Sequence, residues 1–214
     1  MQKLHIGFHK TGTTFLQKRI FPKLDNYIGR NYGDKILPGV LDLKKYEKKI
    51  FNSDAEIYFY SNELFSKWYH QEIIDYLKKN KKMDILITLR NQSDLLYSRF
   101  NHKTTNFYLQ NSINTFYKTS KITPDIIEHY NFQKLINLLR EDGHKVTYIW
   151  FEDIISLNQK AINIMSKYLN NDISELLQKN INNVENKGEK KKSNIKKINV
   201  DKYFNNKDLD YSDL

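Results

Sequence analysis

The stretch HIGFHKTGTTFLQ, residues 5–17, contains two glycines five positions apart, Gly7 and Gly12. The apolar run at 3–8 is typical of a buried strand, and the residues at 13–21 are typical of a helix with one apolar side. A glycine-rich loop between a strand and a helix is a common binding site for a phosphate, because the first backbone amides of the helix can donate to an anion. The sequence therefore predicts a phosphate-binding loop near the start of the chain.

The lysine of this loop is not where an ATPase would have it. In the Walker A pattern, G-x-x-x-x-G-K-[ST], the lysine follows the second glycine and the next hydroxyl binds Mg²⁺. Here Thr13 follows Gly12, and the lysine is Lys10, inside the loop. We expect Lys10 to reach the far side of a bound phosphate, towards the group attached to it. A small-molecule kinase that uses ATP and Mg²⁺ with a degenerate loop is an alternative.

Strands and helices alternate along most of the chain. Apolar runs predict further strands at 54–61, 83–90 and 145–151, and amphipathic stretches predict helices at 63–79, 91–102, 124–141 and 156–170. This alternation indicates an α/β fold, a three-layer sandwich with a mainly parallel sheet.

The composition limits the possible organisation of the protein. The chain has 214 residues, enough for one domain with a sizeable core, and we place this domain at 1–181. The remaining segment, 182–214, is basic and polar, and we expect either a loop that covers a ligand or a disordered tail. There are no cysteines, which excludes disulfides and fits a cytoplasmic protein. No apolar run approaches about 18 residues, so we expect no transmembrane helix.

The formal charge of +10 leaves several partners open. A basic surface could hold nucleic acid, an anionic membrane, an anionic cofactor or an anionic glycan. A basic nucleic-acid-binding module is therefore a second alternative, but it would leave the lysine-containing loop unexplained. We expect no nucleic-acid partner, and nothing in the sequence indicates the oligomeric state.

The run Lys10-Thr11-Gly12-Thr13-Thr14-Phe15 resembles the 5′-phosphosulfate-binding loop of the sulfotransferase family, which reads K-[ST]-G-T-T before an apolar residue. The resemblance implies an enzyme with a P-loop nucleotide-kinase-like fold. Its sulfuryl donor would be 3′-phosphoadenosine 5′-phosphosulfate (PAPS), and its product adenosine 3′,5′-bisphosphate (PAP). All six residues of the run would contact the cofactor.

The family also has a motif that binds the 3′-phosphate, an arginine at a strand end and a serine eight residues later. Arg90 and Ser98 have this spacing in LITLRNQSDLLYSRF, residues 86–100. Ligands of open α/β sheets bind at the carboxyl ends of strands, and a planar guanidinium suits a terminal phosphate. A third family element, Arg-Lys-Gly near the C-terminus, is represented here only by Lys187 and Gly188, without the arginine. We include both residues among the expected cofactor contacts.

The implied reaction is an in-line displacement in which the protein mainly positions the reactants and stabilises charge. Lys10 is expected to stabilise the leaving group, and no metal is expected because a sulfuryl group carries less charge than a phosphoryl group. The acceptor needs a general base, and the family has a His or a Glu just after the second major strand. Glu63 follows that strand here, and His9 is the other candidate.

The acceptor implied by the resemblance is a hydroxyl on a sugar or glycan, as in carbohydrate-type members from bacteria. The sequence VTYIWFEDI, residues 146–154, also resembles a late strand and turn of the family. We expect the two acidic residues of this turn, Glu152 and Asp153, to have structural roles.

Overall fold

The computed structural model has a sheet of five strands in the part of the chain that it describes, and every neighbouring pair of strands is parallel. The described residues are 3–8, 10–25, 27–30, 59–62, 70–78, 82–101, 109–183, 198–200, 203–204, 209–212 and 214. The strands are β1 (Lys3–Gly7), β2 (Tyr27–Arg30), β3 (Phe59–Asn62), β4 (Asp84–Leu89) and β5 (Lys145–Trp150). Their spatial order is β2-β3-β1-β4-β5, which puts β1 in the centre and matches a P-loop nucleotide-kinase-like fold.

In the described ranges, helices follow β1, β3, β4 and β5, as the alternating pattern predicts. They are α1 (Thr13–Phe15), α2 (His70–Leu77), α3 (Gln92–Asn101), α4 (Gln110–Thr119), α5 (Pro124–Tyr130), α6 (Phe132–Glu141), α7 (Phe151–Ile155), α8 (Gln159–Leu169) and α9 (Ser174–Asn180). The predicted α/β class is therefore confirmed.

The central strands are buried at every position, which is why their sequences are continuous apolar runs. All five residues of β1 and all six of β4 are buried. A parallel sheet covered by helices on both faces excludes water from both sides of its central strands, so alternation of polar and apolar residues is lost. Leu4, Ile6, Ile85 and Ile87 lie in this core.

The helix after the first loop begins at Thr13, but it is not a regular α-helix over the predicted 13–21. After one α-helical turn it continues as a π-helix at Leu16–Ile20 and then as a 3-10 turn at Phe21–Lys23. π-Helical turns are rare and often lie near functional sites, because they shift the side chains that follow them.

The prediction of one helix at 124–141 is wrong, because the chain breaks at Asn131. This residue has φ −78° and ψ 80°, and its side-chain oxygen accepts a hydrogen bond from the backbone N–H of Lys134 at 3.1 Å. Asn131 thus caps a new helix, α6.

Other boundaries differ from the sequence predictions by a few residues. The strand predicted at 145–151 ends at Trp150, because Phe151 already begins α7. The helix predicted at 156–170 begins at Gln159, where Asn158 caps it by accepting from the N–H of Ala161. The regions predicted as a strand at 54–61 and a helix at 63–79 are described only in part, as β3 and α2.

Part of the basic C-terminal segment packs against the end of β5. The hydroxyl of Tyr211 accepts from the N–H of Trp150 at 2.9 Å and donates to the Asp153 carboxylate at 2.6 Å. The indole N–H of Trp150 donates to the carbonyl of Leu209 at 2.8 Å. These contacts fix the position of the turn between β5 and α7. The division of the chain at residue 181 stays a prediction.

Candidate functional site

The sheet order places two loops side by side at its carboxyl edge. The chain leaves β1 towards β2 on one side of the sheet and leaves β4 towards β5 on the other side. Because β1 and β4 are neighbours, their carboxyl ends form the point at which the strand order reverses. In open α/β sheets, ligands bind in the crevice at such a point. The loop that contains Lys10 and the turn that contains Arg90 meet there.

The loop after β1 is tightly curled. The N–H of Thr11 donates to the carbonyl of Phe8 at 3.2 Å, which closes a turn. Lys10 has φ 71° and Gly12 has φ 77°, so two residues of this loop are in the left-handed region. A lysine adopts this conformation at a cost of about 1–2 kcal/mol, and such strain is concentrated at functional sites. Left-handed residues in a turn are typical of concave sites where backbone N–H groups bind an anion.

The two glycines of the loop are required by close contacts. A Cβ atom on Gly7 would lie 1.7 Å from the Cγ2 atom of Thr13. A Cβ atom on Gly12 would lie 2.0 Å from the Cε2 atom of Phe151. The first contact seats the start of α1 on β1, and the second lets the ring of Phe151 lie directly on the loop.

Arg90 connects the two predicted phosphate-binding motifs. It follows the last residue of β4, and its Nη1 atom donates to the carbonyl of Lys10 at 2.7 Å. Its guanidinium carbon lies 5.8 Å from the ring centre of Phe151, within the range of a cation–π contact. The side chain keeps 24% of its surface exposed, so it is partly open to a ligand.

Glu152 also lies next to this guanidinium. Its Oε1 atom is 3.8 Å from the Nε atom of Arg90 and accepts from the N–H of Asn91 at 3.2 Å. Burial raises the pKa of the Glu152 carboxyl, although the hydrogen bond from Asn91 and the charge of Arg90 act in the opposite direction. The arrangement fits a structural role for Glu152, since its carboxylate accepts from the N–H of Asn91 and forms a long ion pair with Arg90.

The remaining residues of the first motif differ in exposure. Thr11, Thr13 and Phe15 are buried, whereas the side chain of Thr14 is partly open to solvent. Buried Phe15 anchors α1 in the core. Thr14 is therefore the hydroxyl of this run that a ligand can reach most easily.

Ser98 lies in α3 and is partly exposed. It is seven residues after Asn91, so the two side chains share one face of the helix, about two turns apart. That face continues from the turn that holds Arg90.

Several predicted site residues lie outside the described part of the chain. They are Glu63, His9, Lys187 and Gly188. The residue before Glu63 is Asn62, which ends β3 and pairs in register with Ile6 of β1. The end of β3 thus lies at the same edge of the sheet as the lysine-containing loop.

Sequence reasoning did not single out Phe151, although it contacts both the loop and Arg90. The feature of the sequence that could have identified Phe151 is its position directly after β5. Because β5 is parallel and adjacent to β4, the turns that follow these two strands lie close together. Thr88 was also missed. It is a hydroxyl residue inside the apolar run of β4, and such an exception marks a side chain with a polar partner in the core.

Neither a membrane span nor a metal cluster is found among the described residues. None of the helices in the described ranges is long and apolar enough to cross a membrane. Within the same ranges, no group of three or more His, Asp or Glu residues is arranged to hold a metal ion.

Comparison with known proteins gives matches through structure alone, since neither a protein-family model nor a curated protein matches the sequence. A sulfotransferase from Alicyclobacillus acidocaldarius is similar over 79% of this chain and 80% of its own, with a TM-score of 0.53 and 14% identity. A mouse sulfotransferase crystallised with PAP is similar over 84% of this chain, with a TM-score of 0.51 and 14% identity. This chain spans 64% of the length of the mouse structure. The predicted resemblance to sulfotransferases is thus confirmed at the level of the fold, and the chain has the α/β fold that these enzymes share.

Proposed function

We propose that this protein is a sulfotransferase that moves a sulfuryl group from PAPS to an acceptor hydroxyl. The acceptor oxygen attacks sulfur, the bond between sulfur and the 5′-phosphate oxygen breaks, and PAP leaves with the electron pair. The acceptor proton passes to Glu63, which acts as general base. Lys10 stabilises the charge that develops on the leaving oxygen. The loop from Lys10 to Phe15 binds the 5′-phosphosulfate.

The observation that supports this proposal most directly is the 2.7 Å hydrogen bond from Arg90 to the carbonyl of Lys10. It brings a lysine-bearing phosphate loop and a partly exposed guanidinium together at one crevice. A ligand with phosphates at both ends of a ribose matches two neighbouring cationic sites, whereas a nucleoside triphosphate concentrates its charge at one end. The mouse protein of the same fold was crystallised with such a ligand, PAP.

The finer parts of the proposal follow from the same assignment. Arg90 and Ser98 bind the 3′-phosphate, while Lys187 and Gly188 lie over the nucleotide as part of the basic C-terminal segment. No metal takes part, because Lys10 supplies the positive charge at the leaving oxygen. The acceptor is a sugar or glycan, and the protein acts in the cytoplasm.

Calorimetric titration with PAP, with AMP, and with ATP plus Mg²⁺ tests the proposal. We expect PAP to bind at least tenfold more tightly than AMP, because a charge-assisted hydrogen bond contributes about 1.5–3 kcal/mol. Preference for ATP with Mg²⁺, or equal affinity for PAP and AMP, would contradict the proposal and favour the kinase.

Three substitutions separate the proposed roles. Arg90→Ala should remove the preference for PAP over AMP, and Lys10→Ala should lower turnover by about two to three orders of magnitude. Glu63→Gln should lower turnover by about 10²–10⁴ with PAP affinity unchanged. Lys23→Ala, which removes an exposed cation from the turn after the first helix, serves as the control for net charge. Turnover like that of the wild type in both the Lys10 and Glu63 variants would exclude the mechanism.

A further inference from the structure

A chain of buried polar side chains runs from the centre of the sheet to the phosphate loop. The Nε2 atom of His5 lies 3.2 Å from the hydroxyl of Thr88, and this hydroxyl lies 3.1 Å from the hydroxyl of Thr11. The hydroxyl of Thr11 donates to the carbonyl of Phe8 at 2.7 Å. His5, Thr88 and Thr11 are all completely buried. The chain thus connects β1 and β4 to the turn that closes the loop.

The direction of these hydrogen bonds follows from counting protons. The single proton of the Thr11 hydroxyl is used for the carbonyl of Phe8, so Thr88 must donate to Thr11. The proton of Thr88 is then also used, so the Nε2 atom of His5 must carry a proton and donate to Thr88. Burial lowers the pKa of His5 to about 3, which keeps the ring neutral with one N–H. Each donor in the chain therefore has an acceptor, and the hydrogen bonds polarise one another in the same direction.

We propose that Thr88 is a positioning residue that holds the phosphate loop in its curled conformation through the chain from His5 to Thr11. That the loop held by Thr88 belongs to a catalytic site rests on the proposed function. Thr88 itself does not touch the ligand, since its hydroxyl is buried and bonded within the protein.

The geometry explains why this residue matters for the loop. Thr11 lies between Lys10 and Gly12, the two residues with left-handed conformations. Two side chains of one strand end hold this strained segment: Thr88 binds the side chain of Thr11, and Arg90 binds the carbonyl of Lys10. Removing the hydroxyl of Thr88 breaks the side-chain link from β4 to Thr11, whereas the Arg90 contact and the hydrogen bonds from Thr11 to the carbonyl of Phe8 remain, so the left-handed conformation of Lys10 is held less firmly. The strained conformation of Lys10 would then relax before a ligand binds, and the loop would no longer be preformed for the phosphate.

Amide hydrogen exchange of the free protein tests the positioning role without any ligand. Thr88→Val has the same shape but no hydroxyl, and Thr88→Ser keeps the hydroxyl. The N–H groups of Thr11 and Leu16 report on the loop, because they donate to Phe8 and Gly12. We expect Thr88→Val to accelerate exchange at these two amides by about five- to tenfold, the loss of one hydrogen bond, while Thr88→Ser restores the wild-type rate.

Two further variants make this result specific. Thr147→Val removes a buried threonine hydroxyl from β5, the neighbouring strand, outside the chain of hydrogen bonds, and it should leave the exchange of the loop amides unchanged. If Thr88→Val does not fold, Thr11→Ala cuts the chain at its loop end and should accelerate exchange at Leu16. Loop exchange equal to the wild type in a folded Thr88 or Thr11 variant would overturn the proposal.

Nucleotide binding then tests whether positioning serves the site. Adenosine 5′-monophosphate uses the loop, and adenosine 3′-monophosphate uses only the Arg90 and Ser98 site. We expect Thr88→Val to weaken the 5′-monophosphate about tenfold and to change affinity for the 3′-monophosphate less than about twofold, in line with a lost hydrogen bond to the loop alone. Equal weakening of both ligands would show a general structural effect and overturn the positioning role. If the wild-type protein binds neither nucleotide, the proposed function fails, and the exchange result still decides whether Thr88 holds the loop.

Discussion

At the scale of single residues, Gly12 has two independent reasons to be a glycine. Its φ is +77°, and its Cα faces the ring of Phe151 so closely that a Cβ would lie 2.0 Å from the Cε2 atom. We predict that Gly12→Ala lowers the free energy of unfolding by roughly 2–4 kcal/mol, because left-handed strain and overpacking add. Urea denaturation followed by circular dichroism measures this loss.

Gly143 provides the matched control for this prediction. It also has positive φ, +86°, but the atom that a Cβ there would meet first is Cε of Lys82 at 3.3 Å, on a flexible side chain. Gly143→Ala should therefore cost only the backbone strain, about 1–2 kcal/mol. Equal losses in the two variants would mean that the ring of Phe151 moves aside freely and does not constrain the loop.

At the scale of secondary-structure elements, the break between α5 and α6 depends on one side chain. Asn131 accepts from the N–H of Lys134 at 3.1 Å, and the flanking rings of Tyr130 and Phe132 are both buried. A continuous helix would rotate one of these rings away from the core. We predict that Asn131→Ala lowers the free energy of unfolding by about 1 kcal/mol, the usual effect of losing an N-cap.

Asn158 offers a comparison in the same protein. It caps α8 in the same way, accepting from the N–H of Ala161 at 3.2 Å, but a turn precedes it instead of a helix. Asn158→Ala should lower stability by a similar amount. If Asn131→Ala stabilises the protein while Asn158→Ala destabilises it, α5 and α6 merge into one helix and packing does not impose the break.

The elements that could be predicted from sequence are those whose local pattern and tertiary environment agree. β1 and β4 are continuous apolar runs because both of their faces are buried, so burial and sequence carry the same signal. The stretch at 124–141 is apolar at roughly helical spacing on each side of Asn131, but buried Tyr130 and Phe132 are only two positions apart, so the apolar face shifts at the residue where the helix breaks. β2 is only four residues long at the edge of the sheet, too short for a periodic pattern.

The candidate site also has parts that could be predicted from the sequence and parts that could not. Lys10 and Arg90 could be identified because motif spacing places them within three residues of the ends of β1 and β4. Their hydrogen bond and the position of Phe151 over the loop depend on which strands are neighbours in space. Strand order is a long-range property that a local pattern does not encode.

At the scale of the whole molecule, the end of the chain returns to the edge of the sheet where the candidate site lies. Val200 is buried and its N–H donates to the hydroxyl of Ser93 at 3.0 Å, in the first turn of α3. Tyr211 holds the turn after β5 through Trp150 and Asp153. Sequence-distant segments therefore support the two turns that carry Arg90 and Phe151, and the geometry of the site depends on the fold being complete.

His5 and His70 are completely buried in a neutral form, which makes the stability of the whole molecule sensitive to acid. Burial lowers the pKa of His5 to about 3 and that of His70 to about 4. The Nε2 atom of His70 lies 3.2 Å from the carbonyl of His129, so this nitrogen carries the proton. Its Nδ1 atom is buried and has no hydrogen-bond partner among the described residues. Protonation would therefore place an unpaired charged N–H in the core, although nearby Glu128 partly opposes this effect.

The sign of the pH effect follows from proton uptake by the unfolded chain. Below about pH 6.5 an unfolded histidine is protonated while buried His70 stays neutral until about pH 4, so stability is lost as the pH falls through this window. For His70 alone, the loss between pH 7 and pH 5 is about 2 kcal/mol.

We predict that His70→Gln, whose amide can still donate to the carbonyl of His129, loses about 2 kcal/mol less than the wild type over the same interval. Urea denaturation of both proteins at pH 7 and pH 5 measures this difference, and the comparison cancels the opposite contributions of Asp84 and Glu152, whose pKa values burial raises. His5→Gln should reduce the loss by a similar amount, whereas equal losses in wild type and variants would mean that these histidines already take up protons in the folded state.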